Sequence, residues 1–221
     1  MTAAERVEPA KLEHGVDVRR DQSALKIAGL IAFPTTVAVW LAVYYLSPPL
    51  AGMAGPVARL FFAINCCCVA VLFCFVTAIE AISHERLHSA AIDPLSGVES
   101  HRMRVNHRYL QQTLEQLLLF VPGLLALALY SASAGAMRAV VASTVVWIVS
   151  RAIYWIAYHQ GSQYRSAGLT GMVQSILILL YVSARFGYDV AGIVGAIAPL
   201  ALYGAIEIYL VIVTRAPERA P

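Results

Sequence analysis

The sequence predicts an all-α polytopic membrane protein, and three observations lead there. Of its 221 residues, 59% are hydrophobic and only 13% charged, with a mean hydropathy of +0.68. A soluble domain does not reach that balance. The apolar residues fall into six runs near the length that crosses a hydrocarbon core. The basic residues stand mostly at the ends of those runs, and a net charge of +3 suits membrane orientation rather than nucleic-acid binding.

Residues 1–23 are polar and of mixed charge and form an arm. They are too many for the n-region of a cleaved signal, so the first run reads as a retained helix over 24–47. Pro34 predicts a kink in it. The second run covers 57–82, the third 106–130, the fourth 137–159, the fifth 168–184 and the sixth 190–214. Pro48-Pro49, 131–135, Gly161 and Gly187 punctuate them. Cys66, Cys67, Cys68 and Cys74 all lie in the second run, where they read as small apolar residues without disulfides.

Arginine and lysine set the orientation. Arg6, Lys11, Arg19, Arg20 and Lys26 flank the first run, Arg86, Arg102, Arg104 and Arg108 surround the loop after the second, and Arg165, Arg215 and Arg219 follow the fourth and sixth. Only Arg59, Arg138 and Arg185 stand at the alternate ends. The bias predicts a multi-pass protein with both termini, and the loops 83–105 and 160–167, in the cytoplasm.

Two polar faces then meet on that side. The third run enters with Arg108, Gln112 and Glu115, at i, i+4 and i+7. The fourth leaves with Arg151, Tyr154 and Tyr158, at i, i+3 and i+7, and Arg165 follows. Such spacings place side chains on one helix face. An arginine within an apolar helix is costly and marks a functional site by default.

These residues carry a resemblance to the MAPEG family, the membrane-associated proteins of eicosanoid and glutathione metabolism. The family's second helix opens with Arg-x3-Asn-x2-Glu. Arg108-Tyr-Leu-Gln-Gln112-Thr-Leu-Glu115 matches it, with glutamine in the asparagine position. The family's third helix carries Arg-x2-Tyr-x3-Tyr followed by an arginine, as do Arg151, Tyr154, Tyr158 and Arg165. The resemblance covers 57–185, which implies a MAPEG-like four-helix bundle with one extra helix at each end. It further implies a homotrimer that binds glutathione between subunits. Arg108, Gln112, Glu115, Arg151, Tyr154 and Tyr158 would hold the tripeptide. Arg165 would face the thiol, and Arg86 would act on the second, lipophilic substrate.

The chemistry agrees with that assignment. Arginines pair with the two carboxylates of glutathione, and Glu115 suits its ammonium. A guanidinium beside the sulfur favours the nucleophilic thiolate. The implied activity is conjugation or reduction of a lipophilic electrophile or peroxide, as transferase or peroxidase. Three further readings compete. A non-enzymatic membrane protein could keep the fold for lipid binding or assembly. A transporter is compatible with six spans, although no inverted repeat is visible. His84-Glu85-Arg86-Leu87-His88 matches H-E-x-x-H and so admits a zinc intramembrane protease. It lies at a run end, with only His101, His107 or Asp93 as third ligand.

Overall fold

A computed structural model describes residues 18–93, 95, 97–160 and 168–215. Its helices are α1 (Val18–Leu46), α2 (Pro56–Ala70), α3 (Thr77–Leu87), α4 (His101–Tyr130), α5 (Arg138–Gln160) and α6 (Thr170–Arg215). A π turn, Val71–Val76, joins α2 to α3, and a single 3₁₀ turn, Ala90–Ile92, follows α3. Among the described residues, five helical rods are long and apolar enough to cross a membrane. The last, Thr170–Thr214, has 45 residues, roughly twice what one crossing needs. It is broken at Ala191 and Gly192, so the fifth and sixth runs form one helical element with a kink. The break falls there rather than at Gly187, because Gly192 takes a φ of +63° that side chains with a Cβ avoid.

α1 begins at Val18 and so takes in the end of the polar arm; residues 1–17 lie outside the described residues. The helix runs through Pro34 without ending. α2 and the π turn present small residues to the bundle: Ala63, Cys67 and Ala70 of α2 and Cys74 of the turn are buried, which lets helices approach closely. Against them pack Phe120 and Leu124 of α4, Val140 and Trp147 of α5, and Ile178 of α6. Phe120 and Trp147 stack with ring centres 4.6 Å apart. Of the three consecutive cysteines, only Cys67 is buried, as the splay of neighbouring residues around a helix requires. All four cysteines are free.

Polar groups close the two ends of the bundle. At one end, buried Arg59 donates from Nη1 to the carbonyls of Leu129 and Ser131, each at 3.0 Å. These belong to the last turn and C-cap of α4, where carbonyls lack helical partners. Arg59→Met orphans them at a cost of about 1–3 kcal/mol. A fall of several degrees in the melting temperature of the detergent-solubilised protein is the expected result.

At the other end, buried Glu85 accepts from the hydroxyl of Ser100 and, at 3.1 Å, from Arg102 Nε. Ser100 in turn caps α4 by accepting from the Met103 amide. This arrangement corrects the zinc reading. Glu85 is committed to closing the loop, His84 pairs with Glu80 at 3.6 Å, and the His88 ring bonds the His84 carbonyl. Among the described residues, no three histidine, cysteine or acidic side chains come together to hold a metal.

Candidate functional site

α4 and α5 run side by side, and their polar residues divide into two stripes. The first stripe is buried. Asn106, Tyr109, Thr113 and Gln116 of α4 face inward at i, i+3, i+7 and i+10, the spacing of a helix-packing seam. Arg151 of α5 enters this seam and is fully buried. Its guanidinium carbon lies 4.8 Å from the Tyr109 ring centre and 4.5 Å from that of Tyr154. Nη2 donates to Thr113 Oγ1 at 2.7 Å, while Nε and Nη1 are shielded without a hydrogen-bond partner. Contact with two aromatic faces is how this cation is tolerated away from water. No ion pair joins Arg151 to Glu115; Thr113 and the two rings surround the guanidinium instead.

The rings continue toward the basic-loop end. Tyr109 stacks on Trp155 at 5.4 Å, and Tyr154 lies 5.6 Å from Tyr158. Trp155 Nε1 donates to Asn106 Oδ1 at 2.9 Å, and the His159 ring meets the same oxygen at 3.0 Å.

The second stripe is exposed. Arg108 Nη1 donates to Gln111 Oε1 at 3.2 Å, and Gln111 Nε2 donates to Glu115 Oε1 at 3.1 Å. Cation, amide and carboxylate thus form a chain along one open face of a helix of membrane-spanning length. Gln112 lies between the stripes. It is half-buried, and the Tyr154 hydroxyl donates to its Oε1.

The structure therefore brings together Arg151, Tyr154, Tyr158 and Gln112, and separately Arg108 and Glu115. Arg86 sits half-buried in the last turn of α3, with its Nε shielded and unpartnered. Among the described residues, no hydrogen bond or ion pair joins it to the other candidates. Arg165 lies outside the described residues.

Sequence reasoning missed Tyr109, Thr113, Asn106 and Gln111. The signal for the first three was present as a second heptad-spaced polar stripe. The signal for Gln111 was its place at i+3 from Arg108 and i−4 from Glu115.

A bundle of membrane-length helices, with a buried arginine held by tyrosines and an open polar stripe beside it, is an integral membrane protein built around a polar site. The MAPEG family model matches residues 25–185. The chain belongs to the MAPEG family. The matched stretch begins within α1 and extends into the first half of α6. No curated protein and no solved structure matches the chain.

Proposed function

We propose that the protein is a glutathione-dependent membrane enzyme that conjugates or reduces a lipophilic electrophile or peroxide. The observation that carries this reading is the exposed Arg108–Gln111–Glu115 chain beside the Gln112–Tyr154 pair. Such a stripe is unsuited to lipid. It offers a guanidinium for a carboxylate and a carboxylate for an ammonium, which are the charged groups of glutathione. Covering by a second and third copy would remove it from lipid and make a site shared between subunits. In that arrangement both termini and the 83–105 loop lie in the cytoplasm, where the basic residues cluster.

By motif position, Arg165 faces the sulfur. There its charge favours loss of the thiol proton. The thiolate then adds to the electrophile's double bond, whose electron pair takes up a proton, or displaces its leaving group. With a peroxide it attacks an oxygen, with cleavage of the O–O bond, release of an alcohol and reduction of the resulting sulfenate by a second glutathione. Tyr154 is oriented by Gln112, and Arg151 by Thr113 and Tyr109. Arg151 acts as a positioning residue, since its guanidinium is enclosed.

The test is glutathione binding to the purified protein with thiolate ultraviolet absorbance read alongside. Saturable binding with a thiolate band that disappears in Arg165→Ala is expected. Equal thiolate absorbance in Arg165→Ala and wild type rules out that role. The enclosure of Arg151 also favours a second reading, a binding or assembly protein that retains the fold. Stoichiometric glutathione binding without turnover of any electrophile would select it.

A further inference from the structure

Arg108 and Glu115 stand seven residues apart on α4, about 10 Å of helix rise, too far for the direct pairing that i, i+4 neighbours make. Gln111 sits between them, at i+3 from one and i−4 from the other, and its amide joins both. Its Oε1 accepts from Arg108 Nη1 at 3.2 Å, and its Nε2 donates to Glu115 Oε1 at 3.1 Å. All three side chains are exposed, so Gln111 is no part of the core. It falls in the x3 interval of the Arg-x3-Asn-x2-Glu motif, and motif position gives it no role.

The amide turns an oxygen to the guanidinium and an N–H to the carboxylate. An α-amino carboxylate offers the same two functions in the same order, two carbons apart rather than one, and fully charged. A carboxylate on the guanidinium and an ammonium on Glu115 bind more strongly than a neutral amide does at either place. Such a ligand displaces the amide at both ends and gains only the difference. Glutathione carries one α-amino carboxylate, on its γ-glutamyl residue; its other carboxylate, on glycine, has no ammonium beside it. Resting on the glutathione reading of this stripe, we infer that Gln111 is a built-in competitor, which holds the place of the γ-glutamyl α-amino carboxylate in the free protein and yields when that group binds. It keeps both charges hydrogen-bonded while the site is empty, where bare charges on a membrane helix would be costly. It weakens ligand binding by the two bonds it must give up.

The test measures binding to the purified full chain in detergent by equilibrium dialysis. Its ligands are glutathione and the des-amino analogue, in which a glutaryl group replaces γ-glutamyl. Gln111→Leu removes the amide and keeps its bulk, and Gln111→Ala removes both; at an exposed position neither leaves a cavity in the core. Both variants should bind glutathione about three- to tenfold more tightly than the wild type, on the order of 0.6–1.4 kcal/mol for two hydrogen bonds at a helix surface. The analogue frees the amide from Arg108 alone, so its gain should be the square root of that, about two- to threefold. Wild-type binding of glutathione with equal or weaker binding in both variants overturns the inference and leaves the glutathione reading standing. An equal gain for the analogue does the same, and so does tightening by Gln111→Ala alone, which would trace the effect to room rather than to hydrogen bonds. Absence of glutathione binding in all three proteins overturns the glutathione reading and the competitor with it.

Discussion

Gly168→Val undocks the start of α6 from α5. A Cβ at position 168 would stand 2.2 Å from Tyr154 Cβ, 2.5 Å from its Cα and 2.7 Å from its amide nitrogen. Two of those atoms are backbone, so no rotamer change relieves the overlap. The neighbouring seam is equally tight. A Cβ at Gly171 would meet Ser150 Cβ at 3.0 Å, and the Ser150 and Thr170 hydroxyls are bonded at 3.1 Å. Close approach of small residues is what holds helices together where no hydrophobic drive acts between them. Losses above about 4 kcal/mol are expected from overpacking of this kind, enough to prevent accumulation of monodisperse folded protein. Gly29→Ala is the control: nothing lies within 4 Å of its Cβ position, and alanine favours the helix by about 1 kcal/mol. A Gly168→Val protein that purifies and melts like the wild type would show that this seam does not exist.

The same contact ties one glycine to the proposed site. Tyr154 is the residue that Gly168 touches, and its hydroxyl reaches Gln112. Gly168→Ala brings the same Cβ against the Tyr154 backbone, so it too must displace Tyr154 or α6. A lowered melting temperature is its expected signature, with weaker glutathione binding if the proposed site is correct.

The helices were legible because each is a long apolar run bounded by polar or turn-forming residues. Their interruptions were less so. The π turn at Val71–Val76 adds a residue to one turn, and an apolar run bears no mark of that. Gly187 reads as a boundary yet stays helical, because it faces Gly195 across the bend. The Gly187 carbonyl oxygen occupies the place a Cβ on Gly195 would take. Two glycines were visible there, but only the fold assigns one to close approach and Gly192 to the reversal of φ.

At the site, periodicity identified which residues share a face but not what covers that face. Positions 108, 112 and 115 span a narrow arc of α4, and α5 reaches only the edge at 112. That small offset separates the exposed Arg108 and Glu115 from half-buried Gln112. The depth of Arg151 was likewise invisible, since its companions Tyr109 and Thr113 lie on another helix. The H-E-x-x-H motif failed for the same reason: Glu85 finds Ser100 and Arg102 across a loop.

Glu115→Gln separates a ligand-binding role from an assembly role for the open stripe. Glutamine is nearly isosteric and keeps an oxygen to accept from Gln111 Nε2, which now bonds Glu115 Oε1. The stripe therefore survives as a surface, and only its negative charge is lost. If that charge receives the ammonium of glutathione, a charge-assisted hydrogen bond is lost, about 1.5–3 kcal/mol, or roughly 10- to 150-fold in affinity. Oligomer size by native mass spectrometry should stay unchanged, because the amide replaces the carboxylate within the same hydrogen-bond chain. Glu115→Asp should recover part of the affinity, since the charge returns one methylene short. The opposite pattern, dissociation of the oligomer with glutathione affinity intact, would make the stripe an assembly contact and move the ammonium site elsewhere. Arg108→Gln completes the pair. It removes the cation at the other end of the chain, and its effect on affinity should not add to that of Glu115→Gln if one bound tripeptide bridges both.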